Sequence, residues 1–296
     1  MNASRAQFPD GRQHFQHGPI DIVIGADGDP AAVHAAHDAA WQRFSTVLTE
    51  LVAELPLLRR PLRGPCALRG AIAQRMWLAC RPHHAEFITP MAAVAGAVAQ
   101  ELIGFYQRPG VVRAWVNNGG DIALHLAPGH ALRIGLFADL AQLDDRQLYM
   151  GLALDAHFTV QHDLPVRGIA TSGWRGRSFS LGIADSVTVL ARSAADADAA
   201  ATMIANAVNV DNPAIVRAPA SSLKDDSDLG DIPVTLDVPP LAHEQVQAAL
   251  RAGLKRARAL QTRGLIWSAA LICQGRCARA EPSPFASPSP TLAEAA

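Results

Sequence analysis

The sequence predicts an α+β protein with mixed or antiparallel sheets and packed helices. Three observations carry that expectation. Strand-like runs separated by turn residues fill the region from Val111 to Phe137. Apolar residues recur at three- and four-residue steps from Ala31 to Leu58. A short alanine-rich helix with its own capping signal, Ser193 to Asn206, follows a run that reads as β.

Taken in order, residues 1–17 are polar, rich in His and Gln, and have no apolar core. They are expected to be a flexible N-terminus and not a secretory signal. Gly18 to Gly25 reads as a first strand, closed by Asp27-Gly28-Asp29-Pro30. The helix from Ala31 to Leu58 carries Val33, Ala36, Ala40, Phe44, Val47, Leu48 and Leu51 on one face. His34 and His37 on it read as a surface pair, since no third ligand is near. A proline-studded link leads to a short helix, Gly70 to Cys80, broken at Arg81-Pro82.

Thr89-Pro90 then reads as a helix start, a Thr cap with proline at the first position. The helix it opens, Met91 to Ala99, consists almost entirely of small side chains. Such a helix admits close approach by another backbone or a flat ligand, and its free amides favour a phosphate.

Val111 to Val116, Ile122 to Leu126 and Ala131 to Phe137 read as a meander. The first join is Asn117-Asn118-Gly119-Gly120-Asp121. Two glycines there permit positive φ, so the chain turns tightly or brings bare backbone to a ligand. Asp121 can accept a hydroxyl or a metal-bound water. A loop-rich middle, Asp139 to Met150, precedes a strand candidate from Leu152 to Val160.

Thr171-Ser172-Gly173-Trp174-Arg175-Gly176-Arg177 combines hydroxyls and amides for phosphate or ribose oxygens, a stacking face and two guanidinium forks. Phe179, Leu181 and Ile183 alternate with Ser178, Ser180 and Gly182 as in a half-buried strand. Ser193 with Asp196 fits a cap, a structural role. Asp198, Thr202 and Asn206 fall at i, i+4 and i+8, one polar stripe on an otherwise apolar helix. A carboxylate and a hydroxyl one turn apart suit a hard cation such as Mg²⁺; an exposed stripe is the plainer alternative.

The acidic run Lys224 to Asp231 reads as a solvated loop. Val234 to Val238 is a strand, Glu244 to Gln261 a helix with basic residues towards its carboxyl end, and Gly264 to Cys273 a last core strand. A domain from 18 to 278 is expected, followed by a disordered Pro/Ser/Ala-rich tail at 279–296.

Of 296 residues, 18% are charged and 49% hydrophobic, and the formal net charge is -1. That balance points away from a nucleic-acid partner. No apolar run reaches membrane-spanning length, so no membrane association and a cytoplasmic location are expected. Cys66, Cys80, Cys273 and Cys277 fit that compartment. Cys273 and Cys277, four apart, would share a face if helical, but nothing completes a zinc set.

These pieces, in this order, resemble the ApbE-like superfamily, and more closely its cytoplasmic branch of short bacterial and archaeal proteins. The likeness runs from about Gly18 to Gly275. Asn117-Asn118-Gly119-Gly120-Asp121 is similar to the superfamily's Gly-Gly-Asp turn, and Thr171-Ser172-Gly173 to its Thr-Ser-Gly segment. Ser186-Val187-Thr188-Val189 with Ala197 to Thr202 matches its Ser-Val-Thr-Val strand and Ala-Asp-x-x-Ala-Thr helix.

The resemblance implies the ApbE-like fold and a Mg²⁺-dependent flavin transferase. Such enzymes bind FAD and move its FMN half onto a threonine of an acceptor protein, releasing AMP; some relatives hydrolyse FAD instead. It implies Asp198 and Thr202 at the metal, completed by a backbone carbonyl from about Ala93 to Ala95. The flavin or nucleotide would lie among Met91, Asn118, Gly119, Gly120, Asp121, Thr171, Ser172 and Gly173, with Arg175 or Arg177 stabilising charge in the transition state.

Two departures stand out. The family's His-Ile-x-Asp-Pro segment has no counterpart in Trp174 to Asp185, and no histidine occurs between Asp163 and Ala242. The family's helix lysine is also missing, with Ala95 near its place. The alternative is therefore a flavin- or nucleotide-binding protein without transferase activity.

Overall fold

The structure is a computed structural model that describes residues 2–136 and 156–282. Its frame is one sheet, assembled from β1 (Ser4–Gln7), β2 (Gln13–His17) and β3 (Ile20–Gly28), then β4 (Val111–Asn118) and β5 (Asp121–Leu126). Helices α1 (Pro30–Ala53), α2 (Leu55–Leu58), α3 (Ala71–Cys80) and α4 (Val94–Ile103) lie in the chain between β3 and β4. A separate two-stranded ribbon pairs β6 (Ala131–Leu136) with β7 (Ala156–Gln161). The chain re-enters the sheet with β8 (Gly168–Ser172) and β9 (Ser186–Ala191), leaves through α5 (Ala194–Ala207), and forms a second ribbon from β10 (Val216–Pro219) and β11 (Pro233–Asp237). Helix α6 (His243–Thr262) precedes β12 (Ser268–Cys273) and β13 (Arg276–Ala280).

The nine-stranded sheet has the order β1-β2-β3-β4-β5-β8-β9-β12-β13, with every neighbouring pair antiparallel. Helices α1, α4, α5 and α6 pack along one face. Alternation along the strands explains the layering. In β9, Val187, Val189 and Ala191 join the helix-side core, whereas Leu190 joins Leu124, Ile169 and Val160 beneath the β6–β7 ribbon. All six residues of β9 are buried, as a strand covered on both faces requires. No helix among the described residues is long and apolar enough to cross a membrane.

The α+β class holds, with antiparallel pairing throughout the main sheet. Several local expectations do not. Residues 4–17, expected to be flexible, form the hairpin β1–β2. Phe15 on β2 is completely buried against Trp41 and Phe44, an anchor hidden among the polar residues around it. The strand expected first is therefore third. Residues 131–136 do not extend a meander, because β5 pairs with β8 and leaves β6 to its own ribbon. Phe179 to Ile183 is not a strand. Asn206 accepts the Leu181 amide at 3.0 Å and Ile183 donates to the Val208 carbonyl, so the segment is held by α5 and its end.

The strand expected last, β12, is followed by β13. Cys273 and Cys277 thus lie on paired strands, one buried and one exposed. The long N-terminal helix breaks at Glu54 into α1 and α2. His37 is no surface residue: it is buried, and its Nδ1 lies 2.7 Å from the Tyr106 hydroxyl. The loop expected at 139–150, the start of the strand expected at 152–160, and all but the first residues of the tail expected at 279–296 lie outside the described residues.

Candidate functional site

The site forms where α4, α5, the β4–β5 turn and the end of β8 meet. Small residues make the meeting possible. A Cβ on Gly96 would stand 2.3 Å from the Ala194 carbonyl oxygen and 2.9 Å from Asp198 Cβ. With hydrogen there instead, α4 approaches α5 closely, and Asp198 Oδ2 accepts the Gly96 amide at 2.9 Å. The cap of α5 is the expected one: Ser193 Oγ accepts from the Asp196 amide at 3.2 Å and donates to Asp196 Oδ2 at 2.7 Å.

The β4–β5 turn is a two-residue hairpin, Gly119 at φ +68° and Gly120 at φ +111°, values that glycine alone adopts without strain. Asn117 Oδ1 takes the Gly120 amide at 2.8 Å, so that amide closes the turn. Asn118, almost fully buried, donates from Nδ2 to the Ala95 carbonyl at 3.1 Å. The turn is thereby tied to the first turn of α4. Asp121, 9% exposed, accepts the Thr171 amide on Oδ1 at 3.2 Å. Thr171 Oγ1 lies 3.0 Å from Thr188 Oγ1 on the adjacent strand.

Two carboxylates therefore converge, and electrostatics records the strain. Burial pushes the Asp198 carboxyl up to about 7, against the opposing pull of the Gly96 and Ala95 amides. Burial also raises the Asp121 carboxyl well above the usual range, the Asp198 charge raises it further, and the Thr171 amide and Arg177 oppose both. Neither carboxylate has a cationic partner within ion-pair distance among the described residues. The cation whose charge acts on Asp121 is Arg177. Its guanidinium lies over the turn, with Nη2 only 1.8 Å from where a Gly119 Cβ would be.

The rest of the predicted set divides. Thr202 is half-buried one turn beyond Asp198 and makes no side-chain hydrogen bond to a described residue. Asn206 does not share its role: its Oδ1 is spent on the Leu181 amide and the Ser180 hydroxyl. Met91 lies in a 3₁₀ turn, Pro90–Ala93, half-buried against the helix core. Thr89 caps nothing. Its hydroxyl donates to Asp228, which fastens the acidic loop to this turn.

Ser172 ends β8 beside Val187, and Gly173 passes so close to β9 that a Cβ would meet the Asp185 carbonyl at 2.3 Å. Arg175 stacks over the Trp174 ring at 4.8 Å. Trp174 is in turn held by Asp185, whose Oδ1 accepts its Nε1–H at 3.3 Å and whose other oxygen accepts the Gln274 amide. Asp185 was not a sequence candidate; an isolated Asp before a strand carries no local signal.

Among the described residues no group of three or more His, Cys, Asp and Glu side chains is placed to hold a metal. The polar atoms nearest one another here are oxygens: the Asp121 and Asp198 carboxylates and the Ala95 carbonyl, with Thr202 one turn beyond Asp198. Cys80 is buried, and burial, then the charges of Asp198, Asp196 and Asp228, push its thiol well up, which favours the protonated form.

A family model described as "AbpE bacteria" matches residues 5–279. The chain belongs to this family. That bears out the resemblance to the ApbE-like superfamily drawn from the four motifs. Among similar proteins is a UPF0280 protein of Methanothrix thermoacetophila, 35% identical over 56% of this chain and 65% of its own length. Another is a UPF0280 protein of Methanosphaerula palustris, 37% identical over 67% of this chain and 77% of its own length. Of solved structures, the apo form of the flavinyl transferase ApbE of Pseudomonas stutzeri is similar over 94% of this chain and 93% of that one. The identity there is 14% and the TM-score 0.43.

Proposed function

We propose that this AbpE-family chain binds FAD or a related nucleotide together with Mg²⁺ and acts at its pyrophosphate, by FMN transfer or by hydrolysis. The observation that carries the reading is the Asp121–Asp198 pair. Asp121 is buried and Asp198 half-buried; desolvation raises both carboxyls, the Asp198 charge raises Asp121 further, and neither has a cationic partner at hand, so a cation bound beside them would relieve the pair. The oxygen atoms of the pair and of the Ala95 carbonyl are the donors that Mg²⁺ takes, and the neighbouring Cys80 thiol is pushed towards its protonated form. Asp121 and Asp198 would hold the ion, with Thr202 and the Ala95 carbonyl as the neighbouring oxygen donors. Bound there, Mg²⁺ would polarise a phosphoryl oxygen and neutralise charge that develops on it.

The chain's own contributions are then definable. Asn118 orients the Ala95 carbonyl. Arg177, over the Gly119 turn, supplies a planar cation to a phosphate. Trp174 carries Arg175 on one ring face. The support from relatives is that similar solved structures carry the name flavin transferase; in this reading the cellular location is cytoplasmic and the second substrate, where transfer occurs, is an acceptor protein.

A second reading, a flavin or nucleotide binder without turnover, is favoured by the lack of a free base. The Cys80 thiol is held protonated, and no histidine lies between Asp163 and Ala242. Thermal-shift titration with FAD, FMN, ADP and ATP, with and without Mg²⁺, tests the common part, because a ligand that binds only the folded state raises the midpoint. A Mg²⁺-dependent rise with FAD, lost in Asp198→Ala, supports the site. AMP release then separates the two readings. No shift with any of the four at millimolar ligand rejects both.

A further inference from the structure

Beside the Pro90 turn lies a concavity that the nucleotide reading does not use. It has a volume of about 480 Å³, and its floor is Leu57, Leu62, Leu68, Trp77 and Pro90. Its lip carries Arg60 and Arg63, both exposed. No side-chain hydrogen bond or ion pair joins either guanidinium to a described residue. No carboxylate lines the cavity. The carboxylates nearby are engaged elsewhere: Glu54 accepts the Arg69 and Gly70 amides, and Asp226 pairs with Arg59 at 2.6 Å.

We infer that this groove is the docking site for an acidic segment of a partner protein, one that inserts an apolar side chain over Trp77 and sets carboxylates against Arg60 and Arg63. The inference stands on the groove itself and does not depend on the flavin reading. Charge complementarity selects the partner. Two cations without partners at the mouth of an apolar hollow suit a peptide that alternates Asp or Glu with Leu or Phe. A planar anionic surface would meet only the lip, together with the carboxylates of Asp226 and Glu54 just outside it, and would leave the hollow unfilled. The placement has a consequence for the site described above. Pro90 is shared between the groove and the turn that bears Met91, and Thr89 in that turn is fastened to Asp228, so an occupant would press on an element that borders Asp198.

The test uses the full chain in the Cys277→Ser form, which leaves Cys66, between Pro65 and Ala67 of the rim, as the exposed thiol for an environment-sensitive dye. The probe is a synthetic twelve-residue peptide of alternating Glu and Leu with one Phe. Controls replace every Glu by Lys, or every Leu and Phe by Gly.

The expected result is saturable dye response with the first peptide only, weakened at least tenfold in Arg60→Glu/Arg63→Glu and in Trp77→Ala. The charge variant changes exposed side chains, so an unaltered melting midpoint shows that it folds. Four results would overturn the inference: no response to the acidic peptide, an equal response in the charge variant, an equal response to the Gly control, or dimerisation of the unliganded chain that occludes Cys66. Response to anionic phospholipid vesicles in place of the peptide would assign the groove to a membrane surface and reject the protein partner.

Discussion

The carboxylate of Asp198 accepts the amide of Gly96 at 2.9 Å, joining α4 and α5 near their N-termini, where a Cβ at residue 96 would meet the Ala194 carbonyl. The contact exists only because residue 96 has no side chain. Gly96→Ala would drive a methyl group into the Ala194 carbonyl, which is backbone and cannot rotate away. Overpacking of this kind costs roughly 1–3 kcal/mol, and here the hydrogen bond is lost with it. Chemical denaturation is expected to show a loss at the upper end of that range. Loss of Mg²⁺-dependent stabilisation should accompany it.

The pair Asp121–Asp198 predicts an unusual pH dependence. Asp198 holds its proton up to about pH 7, whereas an unfolded Asp releases it near 3.9. Between those values the folded state binds the proton and the unfolded state does not, so this contribution to stability falls as pH rises. His37 and His83, both held down to about 4 by burial first and then by nearby charges, work the other way: what they contribute is lost as pH falls from about 6.5 to about 4. Asp198→Asn removes the Asp198 slope, lessens the part of the Asp121 shift that the Asp198 charge causes, and leaves the histidine slope in place. In metal-free buffer the variant should gain on the parent chain in melting midpoint from about pH 5 to about pH 8, and Mg²⁺ should stabilise the parent alone. A constant difference across that range would rule out the carboxylate pair as its source.

Arg177 is exposed and supports no part of the fold beyond the turn it covers. Arg177→Ala should leave the unfolding free energy of the free protein within about 0.5 kcal/mol of the parent. Calorimetric affinity for FAD with Mg²⁺ should fall about tenfold or more, as loss of a charge-assisted contact implies. An unchanged affinity would remove Arg177 from the site.

Tyr106→Phe tests the buried His37 contact. The substitution keeps the ring and deletes the hydroxyl that meets Nδ1 at 2.7 Å. An unsatisfied buried group costs about 1–3 kcal/mol. Urea denaturation should show that loss, with nucleotide affinity unaffected.

Much of this architecture is legible in the residues, and the failures have physical reasons. The Gly119-Gly120 turn, the Ser193 cap and the Asp198 position follow from local rules, which act over a few residues. Phe15 was missed because a single buried aromatic in a polar run gives no period to detect. Phe179 to Ile183 shows a strand's alternation, yet side-chain and end-of-helix contacts with α5 occupy its backbone groups, and nothing local announces that. Asp185 and the Asn118–Ala95 bond are long-range pairings. Asp198, Thr202 and Asn206 follow one another along one helix face, but the last member is engaged by the Leu181 amide and the Ser180 hydroxyl, a pairing that no local pattern announces.

The neighbour of β9 in the sheet is β12, and α5, the β10–β11 ribbon and α6 all intervene in the chain. During synthesis the apolar strand Ser186–Ala191 therefore emerges long before the segment that covers its open edge. Until Ser268–Cys273 leaves the ribosome, that edge is a template for any passing strand. A chain that stops short of residue 273 would lose the strands that cover β9 at this end of the sheet, and aggregation, rather than a stable truncated protein, is the outcome to expect from such a product in the cell.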